Sequence, residues 1–274
     1  MKLTPALPVS YERRQSGAAR WSRRIASFSA VLLVTAALAH RFDLVQTEPF
    51  FWVLGVVALL AVFALILAAT GYSQLWTNGD KGGRNSTWGV VTALVVLLPF
   101  IISAYRIAVF PFLSDISTDL ADPPALTRAA ALRTGGMNTV EPISPQQGEI
   151  QARNYPGVTG RRYNMPAERV REALDAALAN HAWTPLGPTR PLADEAGPET
   201  TVELTAYSFW LALPADVAIR VIDEGDTTYV DMRSASRYAR HDFGDNATRI
   251  EAFLAELDTE VATRFAAVPT ATDQ

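Results

Sequence analysis

The sequence predicts an α+β protein with three amino-terminal transmembrane helices, followed by a small domain whose antiparallel sheet packs against two helices. Three observations predict it. Uncharged, mostly apolar runs occupy 25–39, 50–70 and 88–105. Charge divides the chain: up to Arg106 there are ten Lys/Arg and four Asp/Glu, and beyond it fourteen and twenty-four. After Tyr155, segments with the period-2 alternation of strands stand between two segments with the spacing of amphipathic helices. The 274 residues include no cysteine, which excludes disulfides, thiolate metal sites and thiol catalysis.

A membrane span needs roughly 20 residues. The second run meets that length. The third does if Arg106 snorkels and Ile107-Ala108-Val109 continue the helix, and the first does if Arg23, Arg24 and Arg41 carry it to the interface. Spans are therefore expected at about 22–41, 50–70 and 88–109, within a membrane region 1–111. Pro99 removes a backbone donor and should kink the third span. Trp52, Trp76 and Trp88 stand near the ends of runs, where amphipathic rings favour the headgroup level. Lys2, Arg13, Arg14, Arg20, Arg23 and Arg24 lie in the amino-terminal segment ahead of the first apolar run, the loop 40–49 has Arg41 with Asp43 and Glu48, and the loop 73–87 has Lys81 and Arg84. The positive-inside rule then puts the amino terminus in the cytoplasm, and the carboxyl-terminal domain in the periplasm beside an inner membrane. Ser22-Arg23-Arg24 ahead of Ala37-Leu38-Ala39 also has the form of a cleavable signal, and cleavage would leave the domain on the same side.

The chain from 112 to 152 is expected as an extended connector, with Asp122-Pro123-Pro124, Gly135-Gly136 and a polar stretch at 141–151; only 126–133 suits a short helix. A soluble domain at 153–266 and a disordered tail at 267–274 are expected to follow. Met165-Pro166 opens a helix on which Val170, Ala173, Leu174, Ala177 and Leu178 share one face, ending near Asn180. Strands are expected at 159–163, 183–186, 200–209, 216–222 and 227–234. A final helix after Gly244 aligns Ile250, Phe253, Leu254, Leu257 and Val261. Alternation along 216–222 and 227–234, with a two-residue turn at Glu224-Gly225, pairs Ile219 with Val230 and Val217 with Met232. That register sets Asp216 opposite Arg233 on the other face, with Asp231 diagonal to Arg220.

The segments Asp216-Val217, Arg220, Val230-Asp231-Met232-Arg233-Ser234-Ala235-Ser236-Arg237 and Asp242-Phe243-Gly244-Asp245-Asn246-Ala247-Thr248-Arg249-Ile250 resemble the signature of the DUF1499 family. Ser114-Asp115-Ile116-Ser117-Thr118-Asp119, Pro123-Pro124 and Tyr155-Pro156 agree with it upstream. The resemblance covers about 113–261. It implies a domain boundary and no chemistry, since the family is one of unknown function. Ala239 stands where that family often has glycine.

Ser234, Ser236, His241 and Asp242 are the residue types of a hydrolase triad, but no G-x-S-x-G turn surrounds either serine. The favoured reading has the serines satisfying turn backbone while Asp242 or Asp245 caps the final helix. His40, His181 and His241 lack paired-ligand spacing, so no metal is expected, and no cofactor. The candidate polar cluster is Asp216, Arg220, Asp231, Arg233, Ser234, Ser236, Arg237, Asp242, Asn246 and Arg249. Arg220, Arg233, Arg237 and Arg249 are expected to converge near the amino terminus of the final helix. There they form an anion site, or a structural network neutralised by Asp216, Asp231 and Asp242; the network is favoured. The acidic second part disfavours nucleic acid. The expected partners are the lipid bilayer and either an anionic small molecule or another envelope protein. The leading function is a non-catalytic inner-membrane protein presenting a periplasmic domain for binding or envelope assembly. Its rival is an enzyme or ligand-binder acting on an anionic or lipid-derived substrate at the Arg/Asp/Ser cluster.

Overall fold

The structure is a computed structural model that describes residues 14–187, 192–194, 197–209 and 211–265; the expected tail at 267–274 lies outside them. It divides into two units, Met1–Ser103 and Ala104–Gln274.

The first unit is built on α1 (Gly17–Arg41), α2 (Thr47–Asn78) and α3 (Gly83–Val109), the last running on into the second unit. All three are long and apolar enough to cross a membrane. α1 starts ahead of its apolar run because the Ser16 side chain accepts from Ala19 N at 3.1 Å and caps it, which satisfies an otherwise orphaned donor. α3 continues through Pro99 as far as Val109. Small residues form the seam: Ala26, Ala61, Ala64 and Ala93 are buried together with Val57 and Val96. Ser22 Oγ donates to Ala64 O and Ser29 Oγ to Val57 O, each at 2.9 Å. Gly89 lies so close to α1 that a Cβ there would overlap Ser22 Oγ. Close approach through small residues, with hydroxyls as glue, is how helices associate in lipid, where hydrophobicity gives no drive between them. Phe28, Val31, Leu59, Phe63, Ile66, Val95 and Ile101 are exposed, as lipid-facing side chains would be.

The second unit holds a six-stranded antiparallel sheet: β1 (Asp115–Ser117), β2 (Arg161–Tyr163), β3 (Thr184–Pro185), β4 (Glu199–Tyr207), β5 (Pro214–Asp223) and β6 (Thr228–Ser236). The order is β1-β6-β5-β4-β3, and β2 pairs with β6 as well. Its helices are α4 (Thr127–Leu132), α5 (Pro145–Asn154), α6 (Ala167–Ala179) and α7 (Asp245–Phe265). Val217, Ile219 and Val221 of β5, with Val230 and Met232 of β6, meet Val170, Ala173, Leu174 and Ala177 of α6 and Ile250, Phe253, Leu254, Leu257 and Val261 of α7. The apolar faces expected of both helices thus form one core with one face of the sheet. The opposite face is covered at Ala218 and Ala235 by Leu126 and Ala129.

Two expectations are corrected. The β5–β6 register is shifted by two residues: Ile219 pairs with Met232, Val221 with Val230 and Arg220 with Asp231, while Asp216 faces Ala235 and Arg233 faces Ala218. The connection is longer than a two-residue turn, with Asp223 paired to Thr228 and Glu224 N bonded to Thr227 O at 2.9 Å. An even shift leaves every side chain on its expected face, so the apolar pattern could not distinguish the registers. The segment expected as an extended connector has the short helix expected at 126–133, as α4, but also carries β1 and α5. α5 begins with a reciprocal capping box between Ser144 and Gln147, and Pro145 follows the cap. This is a start signal written in polar residues, with no apolar stripe behind it. Within α5, Gln151 donates to Ser117 O at 2.6 Å and accepts from Ser117 N at 3.1 Å, so its amide pairs with the backbone of β1.

Candidate functional site

Alternation puts Asp216, Ala218 and Arg220 of β5 on the face away from the core, with Asp231, Arg233 and Ala235 of β6 and Thr205 and Glu203 of β4. These charges are buried and paired. Asp216, fully buried, accepts from Arg133 Nε and Arg237 Nε, each at 2.9 Å. Arg133 also donates to Asn138 O at 2.8 Å and Ala235 O at 3.0 Å, and Arg237 to Thr205 Oγ1 at 2.7 Å. Arg220 grips Asp231 through Nε at 3.1 Å and Nη2 at 2.6 Å, and reaches Asp122 Oδ2 at 2.8 Å. Hydrogen bonding to Asp231, opposed by burial and reinforced by Asp122, holds the Arg220 guanidinium above its ordinary range. Arg233 pairs with Asp115 through Nε at 3.0 Å and Nη2 at 2.7 Å, and donates to Glu141 O at 2.8 Å. The Glu203 carboxylate accepts Arg128 N at 3.0 Å and Ala129 N at 2.9 Å, serving the exposed donors at the start of α4. A groove of about 430 Å³ between 120 and 143 touches this network at Arg233 and at Glu141, whose carbonyl Arg233 bonds.

Ser234, Ser236, Asp242, Asn246 and Arg249 lie on the core side, at the start of α7. Arg249 Nη1 donates to Ser234 Oγ at 3.0 Å and Asn246 Oδ1 at 2.7 Å. Asn246 Nδ2 donates to Ser236 Oγ at 3.1 Å and Ser114 O at 3.0 Å. Asp242 accepts Gly244 N at 2.9 Å and Asn246 N at 3.0 Å, capping α7 through a turn in which Phe243 has φ 57° and Gly244 φ 80°. Burial pulls the Arg249 guanidinium below its ordinary range, with Asp245 and Asp242 opposing it. Nearby, the Tyr155 hydroxyl is buried without a hydrogen-bond partner among the described residues. Burial, then the charge of Asp242, pushes it up to about 12.

The ten candidate residues therefore form two clusters on opposite faces rather than one. Arg220, Arg233 and Arg237 share the outer face with Asp216 and Asp231; Arg249 does not converge with them, because α7 packs on the other side. Asp216 does not pair with Arg233: each has found a partner from outside the hairpin. Asp115, Asp122, Arg133, Glu203 and Tyr155 fall outside the set of site residues that the sequence singles out. The polar positions of β4, Thr201, Glu203 and Thr205, carried a signal for Glu203 in their alternation.

The triad geometry does not form at Ser234 and Ser236. His241 accepts from Phe243 N at 2.9 Å through Nδ1, which makes Nε2 the donor to Phe110 O at 3.2 Å. Both ring nitrogens are used on backbone, and Asp242 is used as the cap. Among the described residues no three His, Asp or Glu side chains are grouped to hold a metal ion.

Three helices long and apolar enough to cross a membrane, followed by an antiparallel sheet with helices and a buried ionic face, define an α+β protein with membrane-spanning-capable helices. The chain belongs to the DUF1499 family of proteins of unknown function, whose family model matches residues 115–257. The hairpin, the strand β1 and the α7 cap all fall inside that range. No curated protein matches the chain. Among solved structures it is similar to TTHA0849 from Thermus thermophilus, at 14% identity, covering 39% of this chain and 97% of that one with a TM-score of 0.23. That likeness is too slight to carry fold or function across.

Proposed function

We propose that the protein is a non-catalytic inner-membrane protein that holds its α+β domain in the periplasm, for binding or for assembly of the envelope. The observation that carries this reading is the occupancy of the signature arginines: Arg220, Arg233 and Arg237 are each engaged by a carboxylate of the same domain. Guanidinium groups already held bidentately by Asp115 and Asp231 offer no free fork to a substrate. The excess of Lys/Arg ahead of the apolar run of α1 supports the orientation.

A double-mutant cycle tests the non-catalytic part. Arg220→Gln and Asp231→Asn should each lower stability, the double variant should recover part of the loss, and added phosphate should stabilise none of the proteins. Independent effects of the two changes, with phosphate stabilising the wild type through Arg220, would contradict the reading.

A second reading has one observation in its favour. Arg249 is bonded only to neutral side chains among the described residues, and the partnerless Tyr155 hydroxyl shares with it the charge of Asp242. A ligand-binder for an anionic or lipid-derived molecule would use such a pair. Stabilisation by glycerol phosphate that disappears in Arg249→Gln would favour it.

A further inference from the structure

The second candidate for anion recognition lies in the first unit. On α1, Arg20, Arg23, Arg24 and Ser27 follow the spacing i, i+3, i+4, i+7 and share one stripe. The adjoining stripe, Ala19, Ser22, Ala26 and Ser29, is buried. Asn85, in the first turns of α3, closes the site from the other side and accepts from Arg23 Nη1 at 3.3 Å. Arg20, Arg23, Arg24, Ser27 and Asn85 together line an open surface groove of about 450 Å³, in which the four α1 side chains are exposed.

The charge in this groove is unbalanced. Among the described residues no acidic side chain lines it, the first turn of α1 contains none, and none of the three guanidinium groups forms an ion pair. Arg24 instead lies over the Trp21 ring, 5.5 Å from its centroid. Like charges three and four positions apart repel along a helix, and at Arg20, in the first turn, the positive end of the helix dipole adds to them. An anion removes both penalties, and guanidinium forks match phosphate oxygens.

Position identifies the anion. The start of α1 is tied to the α2–α3 end of the bundle by Ser16 N to Lys81 O at 2.9 Å and Ser16 Oγ to Gln74 Oε1 at 2.7 Å. The apolar run of α1 begins one residue beyond Arg24, and Phe28 and Val31 on α1 and Trp88 and Val91 on α3 are exposed just beyond the groove. A molecule with a phosphate in the groove and a hydrocarbon tail over those side chains satisfies both features. We infer that this groove binds the headgroup phosphate of an anionic phospholipid. The inference rests on the three helices crossing a membrane, and on nothing in the α+β domain.

The test uses the full chain in neutral detergent, with thermal unfolding and native mass spectrometry as readouts. Phosphatidylglycerol should bind and raise the midpoint, whereas phosphatidylcholine and inorganic phosphate should not. Arg20→Gln with Arg24→Gln should weaken phosphatidylglycerol binding by about thirtyfold, the weight of two basic residues at a charged surface, without changing helix content. Arg20→Lys with Arg24→Lys keeps the charge and the helix, and should lose affinity by a smaller factor because the forks are gone. Equal binding of the two lipids, or full affinity in both variants, would overturn the inference; an equal response to inorganic phosphate would overturn the lipid assignment. Recovery of the chain in the membrane fraction tests the spans separately, so a membrane-bound chain indifferent to phosphatidylglycerol refutes this site alone.

Discussion

Replacing Asp216 by asparagine should remove the keystone of the ionic face while keeping its shape. The carboxylate is fully buried, and the side chains it neutralises, Arg133 and Arg237, are 5% and 17% exposed. Removing one partner of a buried ion pair typically costs about 3–5 kcal/mol, most of it from the charge left behind. Here two cations lose their counter-charge. Against that, Arg133 keeps Asn138 O and Ala235 O, and Arg237 keeps Thr205 Oγ1. The expected loss is about 4 kcal/mol, a large share of the ~5–15 kcal/mol that stabilises a domain. At roughly 3 °C per kcal/mol for a unit of this size, the midpoint should fall by about 12 °C. The assay is thermal unfolding by circular dichroism of residues 104–274, which contain the whole core from Leu113 onward. That fragment should be soluble and unfold cooperatively, since Arg106–Asp245 and the packing of Phe110 on Gly244 are retained. The control is Arg162→Gln, which breaks an exposed pair with Glu224 at 2.7 Å and should barely move the midpoint. An Asp216→Asn shift no larger than the control's would refute the reasoning.

Two further outcomes follow from the backbone and from a buried phenol. Ala239 has φ 63°, a conformation that costs a residue with a Cβ about 1 kcal/mol, so Ala239→Gly should raise stability by about 0.5–1 kcal/mol in denaturant titration. The Tyr155 phenol titrates at about 12 in the folded protein against 10.0 ordinarily. Between these values the unfolded chain has released a proton that the folded chain keeps, so rising pH favours unfolding. The contribution is fully present below pH 10 and lost towards pH 12. Tyr155→Phe should flatten that alkaline loss in a pH series, and should cost nothing at neutral pH because the hydroxyl has no bond to lose.

What could be read from the sequence was what repeats along it. The apolar runs located the three helices, spacing gave the buried faces of α6 and α7, β4 was expected as a strand, and alternation gave β5 and β6 with the correct faces. The register depended on the length of the connection around Gly225, to which the apolar pattern is blind. α5 was missed because it buries almost nothing apolar and announces itself only through Ser144 and Gln147. The site was half legible for a similar reason. Parity separates Arg233 from Ser234, and from that the two clusters follow once α7 is known to lie on the core face. The partners Arg133, Asp122 and Asp115 are about 100 residues from the hairpin, apart from any local period, and reach it only because 115–117 pairs with β6 as β1 and the chain after it, to 141, folds over the outer face. Ala239 is the opposite case, since the residue that departs from the family's glycine does adopt the left-handed conformation that favours one.

The measurement that tests the central claim most directly is a topology map with a reporter active only outside the cytoplasm. Fused after Gln274 it should be active, and inserted between α2 and α3 at Gly79 it should be silent, because an odd number of crossings separates the basic amino terminus from the α+β domain. A silent reporter after Gln274, with activity at Gly79, would contradict the orientation and the periplasmic role together.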